Sequence, residues 1–148
     1  MVTKRRGAFT LVEVLIVVVI MAVLAATIIP QFTDSARDAR VSSVKFNLHT
    51  MRSQIEHYKS QHNSGLPSAT LAEMSAKTDS AGTIGTGAAF IYGPYIRDVP
   101  VNQLNNSNTV TAITTSPAAS TDVTGSGGWL YNATTGEIWI DHADYYQE

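Results

Sequence analysis

The run from Phe9 to Ile29 constrains this chain more than any other stretch. Its only polar residues are Thr10, Glu13 and Thr27, and every residue from Val14 to Ala26 is apolar. As a helix rising about 1.5 Å per residue the run is roughly 31 Å long, the hydrocarbon thickness of a bilayer. Lys4, Arg5 and Arg6 precede it, so the positive-inside rule places the N-terminus in the cytoplasm and the remainder outside. A cleaved secretory signal fits less well. Such signals have a shorter apolar core followed by a small-residue cleavage site, whereas Pro30-Gln31-Phe32 follows here. Glu13 is the anomaly. A carboxylate inside a spanning segment is costly in lipid and normally has a functional partner, yet the run holds no base to neutralise it.

Beyond Pro30 the apolar residues thin to a stripe. Val41, Val44, Leu48, Met51, Ile55, Tyr58 and His62 recur at alternating steps of three and four, the period of one helix face. One helix is therefore expected from about Phe9 to about Gln61, roughly 80 Å at 1.5 Å per residue. Pro30 lacks the N–H that would bond the Ala26 carbonyl, which predicts a kink or local loosening there. Asn63-Ser64-Gly65 and Pro67 end the helix. The stripe is expected to pack on a sheet, with Asp34, Arg37, Asp38 and Arg40 just outside the apolar run.

Further on, residues 69–76 read as a short helix and 81–89 as a glycine-rich loop. The Gly-Thr-Gly in that loop is not a phosphate cradle, since no Gly-Lys-Ser/Thr follows it. Residues 105–128 contain ten Ser or Thr and so little to bury that an exposed loop is expected, with Thr109–Ile113 as a strand. Trp129-Leu130-Tyr131 and Ile138-Trp139-Ile140 flank Asn132–Gly136, the pattern of a β-hairpin.

Nothing in this pattern is catalytic. No HExxH, Gly-x-Ser-x-Gly or paired-carboxylate motif is present. His57 and His62 are five apart and do not share a helix face as a metal pair would. His142 beside Asp141 and Asp144 reads as an exposed acidic tail rather than a cation site, so no metal site is expected. The chain has no cysteine, which excludes disulfides, thiolate metal sites and cysteine nucleophiles. A net charge of −2 with no basic face gives no expectation of a nucleic-acid partner.

Residues 7–30, GAFTLVEVLIVVVIMAVLAATIIP, resemble the N-terminus of type IV pilins and type II secretion pseudopilins. YGPYIRDVPVNQLNN (92–106) and GGWLYNATTGEIWID (127–141) resemble segments of pseudopilin-like heads. The resemblance covers the first 67 residues well and the rest in patches. It implies an α+β, pilin-like fold: a long N-terminal helix, half transmembrane and half amphipathic, packed on a small antiparallel sheet. Residues 1–8 are then a basic leader cleaved in the cytoplasm, 9–29 a transmembrane and assembly helix, and 30–148 an extracytoplasmic head whose helix runs to about 62.

In that family a prepilin peptidase cuts after a small residue, normally Gly, and methylates the new N-terminal residue, usually Phe. Here Ala8 stands between Gly7 and Phe9. Cutting at Ala8–Phe9 makes Phe9 first, Glu13 fifth and Pro30 twenty-second, the family's spacings; cutting at Gly7–Ala8 is the alternative. The resemblance also gives Glu13 a purpose, since cleavage creates an amine at Phe9 that can pair with the Glu13 of a neighbouring subunit.

The function implied is that of a non-enzymatic filament subunit in the bacterial inner membrane, supporting protein secretion. Its partners are copies of itself, other pilins or pseudopilins, prepilin peptidase and an inner-membrane assembly platform. Charges such as Asp34, Arg37, Asp38 and Arg40 often bridge subunits in the family; a solvated face is the equal alternative. Major pseudopilins can hold calcium in C-terminal loops, but this tail does not match that pattern well, so no cofactor is expected, with calcium as the alternative. Two other functions stay open. One is a surface pilin for adhesion, motility or DNA uptake. The other is a membrane-anchored extracytoplasmic binding domain or enzyme, with residues 60–148 as the working part.

Overall fold

A computed structural model describes residues 9–148. Helix α1 spans Leu11–Gln61 and continues through Pro30. It is followed by a 3-10 helix at Ala72–Ser75 and three short strands, β1 (Val110–Ala112), β2 (Trp129–Asn132) and β3 (Glu137–Ile140). The chain divides into two compact units, one ending at Ala39 and one spanning Arg40–Glu148.

In the first unit the helix has no polar face. Its large side chains from Leu11 to Ile29 are exposed on all sides, and its mean hydropathy reaches 3.0. A helix apolar all round needs lipid or other helices around it.

The second unit, the head, is built on the alternating stripe. Val44, Leu48, Met51, Ile55 and Tyr58 form a core with Leu71, Met74, Trp129, Tyr131, Ile138 and Ile140. His62 is buried at the end of the stripe, and Val41 at its start is half-buried. Burying a large apolar side chain contributes about 1.5–3 kcal/mol, so this cluster dominates the head's stability. Tyr131 keeps its hydroxyl satisfied on the Pro67 carbonyl at 3.2 Å, and burial pushes its phenol well above the usual range. Helix α1 stops where Asn63 and Ser64 adopt left-handed φ angles of 52° and 67°. The Ser64 N–H then bonds the Lys59 carbonyl, the six-to-one bond of a Schellman ending.

The hairpin is as expected. Trp129 pairs with Ile140 and Asn132 with Glu137 in antiparallel register. Its turn is fixed by the Asn132 side chain, which accepts the Thr134 N–H at 2.9 Å, and by Gly136 at a φ of 80°.

Two expectations need correction. The sheet is mixed rather than antiparallel, because β1 pairs parallel to β2, Val110 opposite Trp129 and Ala112 opposite Tyr131. The connection from residue 113 to 128 is long enough to return the chain for a parallel approach, which a tight turn cannot do. Nor is that connection simply an exposed loop. Both faces of a central strand need cover, and Ile113, Ala118, Val123 and Tyr146 pack on Leu130 and Trp139, the side of the sheet away from α1. Hydroxyls pin it: Thr115 donates to Asp122 and Ser116 to Glu137. The Ser116 and Thr135 hydroxyls hold the Glu137 carboxyl below its ordinary value.

The C-terminal tail closes over the helix. Lys45 Nζ meets Glu148 Oε1 at 2.6 Å, while Arg52 donates to the Ile138 and Glu148 carbonyls. A fragment covering 31–148 is expected to be a soluble, folded monomer, since its core lies within one unit. Sedimentation equilibrium and circular dichroism check this; an aggregated or unstructured fragment contradicts it.

Candidate functional site

The N-terminal end of α1 is organised around two polar side chains. Thr10 is the N-cap: its carbonyl accepts the Val14 N–H, the first bond of the helix, at 3.4 Å. Three residues on, Glu13 turns back. Its Oε2 accepts the Thr10 N–H at 2.8 Å and the Thr10 hydroxyl at 2.9 Å. In return Thr10 Oγ1 accepts the Glu13 N–H at 3.3 Å. This reciprocal pair is a capping box, which satisfies donors that a helix end otherwise leaves open.

The carboxylate therefore has a local partner within the apolar run. The signal is in the sequence, as Thr-x-x-Glu immediately before an apolar stretch. Thr10 supplies neutral donors and no counter-charge. From Phe9 to Ala36 no residue is basic, so the apolar run itself supplies no counter-charge to the carboxylate. Phe9, 80% exposed, lies four residues before Glu13, just ahead of the helix N-cap. Gly7 and Ala8, which carry the expected cleavage bonds, lie outside the described residues. Asp34, Arg37, Asp38 and Arg40 are all exposed.

In the head, the residues read as an acidic tail separate. His142 and Asp144 lie towards solvent, with His142 Nδ1 accepting the Asp144 N–H at 3.2 Å. Asp141 instead turns inward and is wholly buried. Its Oδ1 accepts N–H bonds from Thr124 at 2.7 Å and Gly125 at 2.9 Å. Its Oδ2 accepts the Gly127 N–H at 2.9 Å and the Thr124 hydroxyl. Glycine is required at 127, where a Cβ would stand 2.5 Å from Asp141 Oδ2. Strand alternation alone does not reveal this inward turn, because the donors come from a loop fourteen or more residues earlier. Among the described residues no group of three or more His, Asp or Glu is placed to hold a metal ion.

A family model described as the prokaryotic N-terminal methylation motif matches residues 3–29. The chain is also similar to the type II secretion system core protein G of Pseudomonas aeruginosa, 32% identical over 56 residues. That match covers 38% of this chain and 39% of the relative's length. No solved structure matches. The apolar helix together with the methylation motif marks a membrane-anchored protein.

Proposed function

We propose that this chain, whose matches support the type IV pilin and pseudopilin family, is a structural subunit of a secretion pseudopilus. That family is structural and is not known for enzymes. The observation that carries the reading is an apolar helical run, Leu11 to Ile29, exposed on every side, whose single carboxylate sits four residues after Phe9 with no basic residue in the run. In this reading the chain enters the inner membrane with its basic leader in the cytoplasm. Prepilin peptidase cuts at Ala8–Phe9 and methylates Phe9. The helix then leaves lipid for a bundle of identical helices, where the Phe9 amine of one subunit meets the Glu13 of another.

The capping box adds a detail to that step. Thr10 holds the carboxylate at the helix end, so the negative charge is positioned before the partner amine arrives. The partial similarity to a secretion core protein favours the secretion pseudopilus over a surface pilus. Loss of secreted proteins on deletion of the gene supports it, whereas loss of adhesion, motility or DNA uptake with secretion intact favours the surface pilus.

Mass spectrometry of the membrane-extracted chain is expected to show an N-methylated Phe9 as first residue. A chain beginning at Ala8 moves the cleavage bond to Gly7–Ala8, and one beginning beyond Ile29 rejects the reading.

A further inference from the structure

A groove of about 260 Å³ in the head is bordered by Gln54, His57 and Gln61 of α1 and by Ile91, Tyr92 and Tyr95 of the following loop. The filament reading makes no use of it. Its walls are fixed from behind. The His62 Nδ1–H donates to the Tyr58 carbonyl at 2.8 Å, which leaves Nε2 to accept the Thr78 hydroxyl at 2.9 Å. The Thr78 backbone in turn pairs with Tyr92 in both directions, at 3.0 and 3.2 Å. Tyr95 packs edge-on against Tyr58 and His57, with ring centroids 5.3 and 5.5 Å apart. The groove is therefore formed before any ligand arrives, as binding sites usually are.

Its chemistry is narrow. No carboxylate, ammonium or guanidinium lines it, which disfavours an ion as ligand. Tyr95 donates its hydroxyl to Gln61 Oε1 at 2.6 Å, so the free side of Gln61 offers N–H donors. Gln54 brings both a donor and an acceptor, and so does the His57 ring. Two backbone donors of the wall are already used: the Tyr92 N–H bonds Thr78 and the Tyr95 N–H bonds Met74. What remains is side-chain hydrogen bonding of both senses beside two tyrosine rings.

We propose that this groove binds a neutral sugar, whose hydroxyls each donate and accept and whose C–H face suits an aromatic wall. The test is saturation-transfer NMR on the full chain in phosphocholine micelles, which carry no sugar, with N,N′-diacetylchitobiose and maltose as probes and trialanine as the peptide control. Saturation transfer to the ring protons of at least one sugar is expected, with little to trialanine. The Gln54→Ala/His57→Ala double variant should weaken sugar binding by roughly tenfold or more, the loss of about two hydrogen bonds, with an unchanged circular dichroism spectrum. Absence of transfer to both sugars, equal transfer in the double variant, or preferential transfer to trialanine overturns the proposal.

Discussion

Glu13→Ala is expected to abolish filaments while leaving the chain in the membrane. The substitution removes a charge that is costly in lipid, so insertion is unimpaired or slightly easier. The basic leader and the Ala8–Phe9 bond are untouched, so cleavage largely survives. Assembly fails because the Phe9 amine of an incoming subunit loses its carboxylate and is left uncompensated among apolar helices. Removing one member of a buried ion pair weakens each addition step by more than about a hundredfold, and filament growth compounds that loss. Membrane-fraction protein compared with sheared, pelleted filaments checks the result.

Removing the Asp141 carboxylate is expected to be the most damaging single change in the head outside its apolar core. In Asp141→Ala the N–H groups of Thr124 and Gly125 and the Thr124 hydroxyl lose their acceptor, and the Gly127 N–H keeps only its longer bond to Thr124 Oγ1 at 3.2 Å. Gly127 is buried, so water cannot easily replace the lost oxygen there, while Thr124 and Gly125 are partly rescued by solvent. Hydrogen bonds to a charged group are worth about 1.5–3 kcal/mol each, less where solvent takes over. A loss of about 2–4 kcal/mol follows, a fall in Tm of roughly 10 °C for a domain of this size. Asp141→Asn is expected to be nearly as severe, because its new N–H₂ group must face a donor at one of the two oxygen positions. Asp98→Asn, at a fully exposed loop pair, is the control and should leave Tm within error. A Tm for Asp141→Ala equal to the control's contradicts the buried-clamp account.

Much of this architecture was legible in local pattern. The unbroken apolar run and the three-four stripe gave α1 almost to the residue, because both depend only on helical period. The aromatic runs around Asn132–Gly136 gave the hairpin for the same local reason. What escaped depends on contacts distant in sequence. The parallel seat of β1 rests on three residues in a Ser/Thr-rich stretch, and Ala118 becomes buried only because the outer sheet face, with Leu130 and Trp139, needs cover. Asp141 looks like part of a solvated tail until the loop from Thr124 to Gly127 closes on it. Thr10 is the opposite case. Its capping box is readable as Thr-x-x-Glu from local spacing alone, although Thr10 brings a neutral donor rather than a charge.

Because Glu13 both caps the helix and carries the charge, the variant that separates those roles is Glu13→Gln. Its side-chain oxygen can still accept the Thr10 N–H and hydroxyl, so the helix end is preserved, but it offers no charge to a Phe9 amine. Expressed as the sole copy, it is expected to be inserted and cleaved normally and to yield no more filament than Glu13→Ala. Filaments at the unsubstituted yield would mean that capping is all the carboxylate does, and would contradict pairing between Glu13 and the Phe9 amine.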